Sequence, residues 1–170
     1  TCTVAALGLH RLRSTVTGSA ATMHPGARVE TLPRRSEARS AARRNVGRMI
    51  KGSSCISVRG DLPHVVEIVL DRPQALNAVS TAMAEELTDA LRAAAADSTV
   101  RAVVLSSSNE RAFCVGADLK ERAAFTDDQL LAQRPVIMAL FTSVLELPMP
   151  AVAAVAGFAL GGGFELALSC

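Results

Sequence analysis

Three glycines and one carboxylate lie close together in a segment with few other polar groups. Gly161–Gly163 follow an apolar run at Ala151–Val155, a predicted buried strand, and they precede Glu165. Glycine permits close backbone approaches that other residues prevent. A helix beginning at about Gly162 leaves its first N–H groups unbonded, at the positive end of the helix dipole. Such donors suit a negatively charged oxygen, and Glu165 follows about one turn later. The pattern predicts an oxyanion site beside an acid/base group.

A second strand-to-helix segment carries matching chemistry. Residues 112–120 follow a predicted buried strand at Val103–Leu105 and a polar loop. Asp118 is interpreted as the cap of a short helix rather than as a catalyst, and the Ala117 N–H is then available as a second donor. Two N–H groups from two loops, converging on one oxygen, stabilise an enolate or a tetrahedral oxyanion. Cys114 is interpreted as a packing residue, since the sequence places no base beside it.

These segments resemble the signature segments of a known family. Phe113–Lys120 and Gly157–Leu168 are similar to the two signatures of the crotonase (enoyl-CoA hydratase/isomerase) superfamily, closest to those of enoyl-CoA hydratases. Val69–Ala78 adds the family's Arg-Pro-x-x-x-Asn-Ala pattern after a strand. The resemblance covers about residues 55–170. It implies an α/β fold built as a crotonase-like ββα spiral, of which this chain would hold the N-terminal portion only.

The resemblance also implies a reaction and a site. The expected activity is an enoyl-CoA hydratase, which adds water across the 2,3 double bond of an enoyl-CoA thioester in fatty-acid or branched-chain acyl-CoA catabolism. Glu165 and the N–H groups of Ala117 and Gly162 would be catalytic. The expected substrate and CoA contacts are Leu76, Ala78, Ala117, Asp118, Leu119, Lys120 and Gly162. Lys120 would lie near the CoA phosphates. Coenzyme A is part of the substrate, and no metal or other cofactor is implied.

The resemblance further implies that a full enzyme needs more than residues 1–170. In the family, a second catalytic Glu and the helices that close the acyl pocket and build oligomers lie further along the chain. We therefore expect residues 1–170 alone to be inactive, and the full-length protein to form a homo-oligomer, a trimer or hexamer. Two alternatives to a hydratase remain open at this point. One is an enoyl-CoA isomerase, which needs a single carboxylate; the other is a non-enzymatic, RNA-binding member of the family.

The charge is divided unevenly along the chain. Residues 1–60 have a net charge of +9, whereas residues 61–170 have −7. The acid-poor, Arg-rich residues 1–54 lack a sustained apolar period and are expected to be a disordered basic extension before the crotonase-like domain of residues 55–170. An organelle transit peptide, a nucleic-acid-binding arm and a non-native extension all fit this composition. An intracellular, cytoplasmic protein is expected, or a mitochondrial matrix protein if the extension is a transit peptide.

Several other classes of protein fit the sequence poorly. The glycines match neither the G-x-G-x-x-G pattern of dinucleotide sites nor the Gly-Lys-Ser/Thr of phosphate loops. The four cysteines lack the paired spacing of zinc sites or disulfide frameworks. The longest apolar run, Ala151–Phe164, contains four glycines and is too short to cross a membrane. A membrane partner is therefore not expected. Phe is the sole aromatic residue type available for stacking on bases, so a nucleic-acid partner is not expected either.

An alternation of strands and helices must position the two signature loops. The sequence predicts strands at about 55–59, 64–70, 101–106 and 151–155. The apolar spacing of Ser80–Ala96 predicts an amphipathic helix. Thr126 and Gln129 form a predicted capping box that opens a helix reaching Leu145. This order is typical of βαβ units and predicts an α/β fold.

Overall fold

The computed structural model describes residues 54–170, which form an α/β fold as predicted. The strands are β1 (Ile56–Arg59), β2 (Val65–Leu70), β3 (Ala102–Ser107), β4 (Ala112–Cys114), β5 (Ala151–Ala153) and β6 (Phe158–Ala159). The helices are α1 (Thr81–Ala96), α2 (Leu119–Ala123), α3 (Asp127–Leu145) and α4 (Gly162–Leu168), and a 3-10 turn covers Pro73–Ala75. The predicted basic extension, residues 1–54, lies outside the described residues apart from Ser54.

The strands form two sheets. The larger has the order β1-β2-β3-β5, with β1 antiparallel to β2 and the remaining neighbours parallel. The smaller pairs β4 with β6 in parallel. Parallel neighbours need a crossover connection, and α1 supplies it between β2 and β3.

The chain follows the same path three times. It runs through the larger sheet in β3, through the smaller sheet in β4, and then into α2. It repeats this path in β5, β6 and α4. The first passage leads from β2 to α1, and its residue Val79 forms a parallel bridge with Ala117 beside the smaller sheet. Three helices therefore begin from loops that lie next to one another at one edge of the fold.

A core between the larger sheet and α1 fixes these loops in place. The helix turns one face inward, where Met83, Leu87 and Leu91 are fully buried. Ser80 caps its first turn by accepting a hydrogen bond from the Met83 N–H, which replaces a missing intrahelical partner. Helix α3 packs against α1 and adds Leu140 to the same core.

Most of the predicted elements are present. The predicted helices over Ser80–Ala96 and Thr126–Leu145 are confirmed within one residue, and Thr126 and Gln129 form the predicted capping box. The strands β4 and β6 were not predicted, since runs of three and two residues carry no readable alternation. Helix α4 begins at Gly162, as predicted, and spans seven residues. None of the described helices is long and apolar enough to cross a bilayer.

The prediction of a buried strand over Ala151–Val155 is wrong in part. Only Ala151–Ala153 form β5, and among the described strands it pairs with β3 alone, at the edge of the larger sheet. Val152 is 39% exposed in consequence. Apolar character indicates a strand, but it does not indicate whether a neighbour covers each face.

Candidate active site

Hydrogen bonds between the stacked loops join the two signature segments. Val79 N–H donates to the Gly116 carbonyl at 2.8 Å, and its own carbonyl accepts from the Asp118 N–H at 3.0 Å. Leu160 N–H donates to the Cys114 carbonyl at 3.0 Å. The loop before α2 therefore lies between the loops before α1 and α4.

Gly116 sets how closely the loops approach. Its φ of 91° lies in the left-handed region that glycine tolerates. A Cβ atom added there would lie 2.8 Å from the Leu160 carbonyl oxygen and 3.2 Å from the Gly162 nitrogen. Such contacts leave no room for a side chain, so glycine at this position brings the Ala117 and Gly162 backbones side by side.

The N–H groups of Ala117 and Gly162 both remain without an acceptor among residues 54–170. In contrast, the next three N–H groups of α4 donate to the carbonyls of Leu160 and Gly161. Gly162 is the first residue of α4, where an N–H has no intrahelical partner. Two unbonded donors on adjacent loops form the arrangement that an oxyanion site requires.

A cavity of about 300 Å³ adjoins these donors. Its lining includes Ala117, Gly162 and Glu165, so the structure brings together the three residues that the sequence analysis selected as catalytic. The remaining lining side chains come mainly from one face of α3, with Val79 from the loop before α1 and Arg122 from α2; those of α3 are Leu130, Gln133, Arg134, Ile137, Met138 and Phe141. The cavity therefore combines an apolar wall with a carboxylate and two backbone donors.

Glu165 is exposed in the described part of the chain. Helix α4 buries Gly163, Leu166 and Ala167, whose spacing of three and four residues forms one face. Phe164, Glu165 and Leu168 lie on other faces and are exposed in the described part of the chain. The carboxylate consequently reaches the cavity instead of the core.

Asp118 is confirmed as a helix cap. One carboxylate oxygen accepts from the N–H groups of Lys120 and Glu121, and the other accepts from Arg72 at 3.0 Å. Desolvation by burial would raise the pKa of Asp118, but the hydrogen bonds from Glu121 and Lys120 and the Arg72 guanidinium outweigh it. The pKa therefore lies below its ordinary value of 3.8. Asp118 is an ionised anchor for the loop that carries the Ala117 N–H.

Arg72 and Asn77 complete this anchor. The Arg72 guanidinium also donates to the Ala78 carbonyl. The backbone N–H of Arg72 donates to the Asn77 side-chain oxygen at 2.8 Å. The Asn77 amide in turn donates to the Phe113 carbonyl at 3.0 Å, from a fully buried position with φ of 55°. The Arg-Pro-x-x-x-Asn-Ala pattern signalled both residues, but the site prediction did not include them.

Glu121 is a second residue that the sequence analysis missed. Its carboxylate accepts from the Thr81 N–H and hydroxyl and from the Gln133 amide, at 2.9–3.2 Å. These bonds tie the start of α1 and the second turn of α3 to α2. The sequence offers a weak signal, an acidic residue three positions after the Asp118 cap.

The residues expected to contact CoA have varied surroundings. Leu119 and Lys120 are exposed on α2, and Leu76 is half-buried. Ala78 is buried. Its N–H donates to the Ala75 carbonyl, and its own carbonyl accepts from the Arg72 guanidinium. None of these four residues lines the cavity, so their predicted contacts to CoA stay predictions.

Cys114 lies behind the loop rather than in the cavity. It is fully buried, and this burial raises the pKa of its thiol above the ordinary value of 9.0, although a hydrogen bond from the Gly116 backbone opposes the shift. An inert packing residue fits these surroundings. Residues 54–170 contain no cluster of three or more His, Cys, Asp or Glu side chains that could hold a metal ion.

Comparison with known proteins indicates the same family as the sequence motifs. The family model for enoyl-CoA hydratase/isomerase matches residues 63–170. The chain is 44% identical over 107 residues to a putative enoyl-CoA hydratase/isomerase of Bacillus subtilis, covering 63% of this chain and 41% of the relative. It is 40% identical over 106 residues to the mitochondrial enoyl-CoA hydratase domain-containing protein 2 of Mus musculus, covering 62% of this chain and 36% of the relative.

A solved structure shows the same fold. The enoyl-CoA hydratase of Bacillus anthracis superposes with a TM-score of 0.66 and 43% identity, covering 69% of this chain and 45% of that one. This match confirms the predicted crotonase-like fold over the described residues. The chain spans about two fifths of the length of the curated relatives it matches.

Proposed function

This chain belongs to the enoyl-CoA hydratase/isomerase family, and we propose that it supplies part of the active site of an enoyl-CoA hydratase. The substrate is an enoyl-CoA thioester, and the product is the 3-hydroxyacyl-CoA. One observation carries the proposal: a single cavity is lined by Glu165 and by two residues with unbonded N–H groups, Ala117 and Gly162.

In the proposed reaction, the thioester oxygen binds between the Ala117 and Gly162 N–H groups. When water adds to Cβ, charge moves onto that oxygen and gives an enolate, which the fixed donors stabilise more strongly than the neutral carbonyl. Glu165 works with a second carboxylate, and the two share the proton transfers. One accepts a proton from water, and the other delivers a proton to Cα. The oxygen of water thus bonds to Cβ, and the double bond is lost.

The remaining features of the whole protein are proposals of the same kind. We propose a homo-oligomer, a trimer or hexamer, that acts without a metal or redox cofactor. The relatives include bacterial and mitochondrial proteins, and for this protein we propose the cytoplasm or the mitochondrial matrix.

An isomerase is the second candidate, because Glu165 is the one carboxylate lining the cavity in the described part of the chain. A single carboxylate suffices to move a proton between two carbons of an enoyl-CoA. The two activities change the absorbance of the conjugated thioester in opposite directions: hydration of crotonyl-CoA removes the conjugation, and isomerisation of a 3-enoyl-CoA creates it.

The test uses the natural full-length protein and its Glu165→Gln variant. Gln keeps the size of Glu but cannot exchange the proton, so we expect kcat for crotonyl-CoA to fall by at least two orders of magnitude with KM nearly unchanged. Glu146→Gln removes an exposed carboxylate outside the cavity and is the matched control. Normal turnover by Glu165→Gln would contradict the assignment, and activity on the 3-enoyl-CoA alone would establish the isomerase instead.

A further inference from the structure

One buried side chain in the wall of the cavity has a polar atom without a partner. Gln133 lines the cavity from α3 and is only 7% exposed. Its amide nitrogen donates to the Thr81 hydroxyl at 2.9 Å and to the Glu121 carboxylate at 3.0 Å. Both N–H groups of the amide are therefore used. The amide oxygen, in contrast, accepts no hydrogen bond from any of residues 54–170.

The contacts of the amide nitrogen fix the orientation of the Gln133 side chain. An ionised carboxylate only accepts hydrogen bonds, so the Gln133 atom beside Glu121 is the nitrogen. The Thr81 hydroxyl donates to the same Glu121 oxygen at 3.2 Å, which leaves its lone pairs to accept from Gln133. Turning the amide over would bring two acceptors together and leave both N–H groups unbonded. Gln133 is therefore held with its oxygen directed away from Glu121.

The unpartnered oxygen is accessible from the cavity. Among the buried and half-buried residues of 54–170, every side-chain oxygen or nitrogen that is closed off from solvent has a hydrogen-bond partner. The Gln133 oxygen has none, so it is not closed off, and the cavity is the space that this buried side chain lines. The cavity wall therefore presents a fixed hydrogen-bond acceptor beside the apolar side chains of α3.

We propose that Gln133 determines acyl specificity and that the pocket takes an acyl group carrying a hydroxyl. The proposal rests on the proposed function, because it assumes that the thioester oxygen lies at Ala117 and Gly162 and that the acyl chain enters the cavity. A hydroxyl on the chain would donate to the Gln133 oxygen and replace the water that is displaced. A plain alkyl chain would displace the same water and leave the oxygen unpaired, which weakens binding.

The experiment measures the coupling between Gln133 and an acyl hydroxyl in the natural full-length protein. The probes are saturated thioesters, which bind without being hydrated. 6-Hydroxyhexanoyl-CoA is compared with heptanoyl-CoA, and 8-hydroxyoctanoyl-CoA with nonanoyl-CoA, so that a methyl group replaces the hydroxyl in each pair. For at least one pair, Gln133→Met should weaken the hydroxylated thioester relative to its partner by about tenfold in Kd, the effect of losing one buried hydrogen bond. Calorimetry gives each Kd.

Gln74→Met is the matched control, because it makes the same replacement at an exposed residue outside the cavity. It should leave the ratio of the two Kd values unchanged. The same unchanged ratio in a folded Gln133→Met protein would overturn the proposal. The wild type gives a test that needs no variant: if it binds the hydroxylated member of both pairs about tenfold more weakly than the methyl member, the pocket offers no acceptor and the proposal is also overturned.

Two further results would assign the hydrogen bond to other groups. If Gln133→Met weakens both thioesters and free coenzyme A equally, the Gln133 oxygen accepts from the amide N–H groups of the pantetheine arm. If Glu165→Gln weakens the hydroxylated thioester selectively and Gln133→Met does not, the hydroxyl pairs with the other acceptor that lines the cavity. Either result would overturn the proposal.

Hydration of crotonyl-CoA by the wild type tests the proposed function separately. Turnover of crotonyl-CoA without coupling at Gln133 would refute the specificity role and leave the hydratase assignment standing. Coupling at Gln133 without turnover of crotonyl-CoA, or of a 2-enoyl-CoA carrying the hydroxyl, would support the pocket and refute the hydratase.

Discussion

Replacing Gly162 with proline removes one proposed oxyanion donor and disturbs little else. Gly162 is the first residue of α4, a position at which helices accept proline because its N–H has no intrahelical partner. The preceding residue, Gly161, has no Cβ to clash with the proline ring. Losing one donor of this kind typically costs about 2.7–4 kcal/mol of transition-state stabilisation, or a factor of about 10²–10³ in kcat. We expect a loss of this size for crotonyl-CoA hydration by Gly162→Pro.

Two further variants isolate the donor from the backbone change. Gly162→Ala keeps the N–H, and its Cβ meets only the Phe141 ring at an ordinary 3.8 Å, so we expect activity within a few-fold of the wild type. Asp127→Pro places proline at the first residue of α3, after the extended Thr126, and outside the cavity. It should be folded and active. A folded Gly162→Pro enzyme with a near-normal rate would show that the Gly162 N–H does not bind the thioester oxygen.

Three other predictions concern the loops that hold the donors. Gly163→Ala should destabilise the fold by about 1–3 kcal/mol or more and lower Tm, because its Cβ would lie 2.2 Å from the Cys114 carbonyl oxygen; an unchanged melting curve would contradict this packing. The Cys114 thiol should react with iodoacetamide far more slowly in the native than in the unfolded protein, since burial raises its pKa, and equal rates would refute that burial. Asp118 has a lowered pKa, so its contribution to stability is present above pH 3.8 and is lost as the pH falls through the folded-state value. Asp118→Asn should therefore lower Tm at neutral pH and lose less stability on acidification than the wild type, and identical pH profiles would argue against the Arg72–Asp118 anchor.

Local sequence signals predicted most of the elements, though not β4 and β6, and they predicted the two donor loops. The caps Ser80, Asp118 and Thr126 could be identified because each needs only residues within its own first turn. Gly116 allows a close approach to Leu160 and Gly162, which come from a distant part of the chain, so local signals do not identify this contact.

The features that the sequence did not reveal depend on tertiary contacts. The exposure of Val152 and Glu165 follows from which neighbours cover a strand edge or a helix face, and apolar composition alone does not report this. Arg122 and Arg134 were not selected, because charged side chains on short or largely apolar helices are usually solvated. Only the packing of α3 beside α2 places them in one cavity. The roles of Asn77 and Glu121 likewise require partners on several elements.

The polarisation of a bound thioester carbonyl tests the central claim most directly, and it does not depend on which reaction follows. Butyryl-CoA labelled with ¹³C at the carbonyl binds without being hydrated, and its C=O stretch can be followed by isotope-edited infrared difference spectroscopy. If the Ala117 and Gly162 N–H groups both donate to this oxygen, the band should shift to lower frequency in the wild type and shift less in Gly162→Pro. A bound thioester whose carbonyl band coincides with that of the free molecule would contradict the oxyanion site.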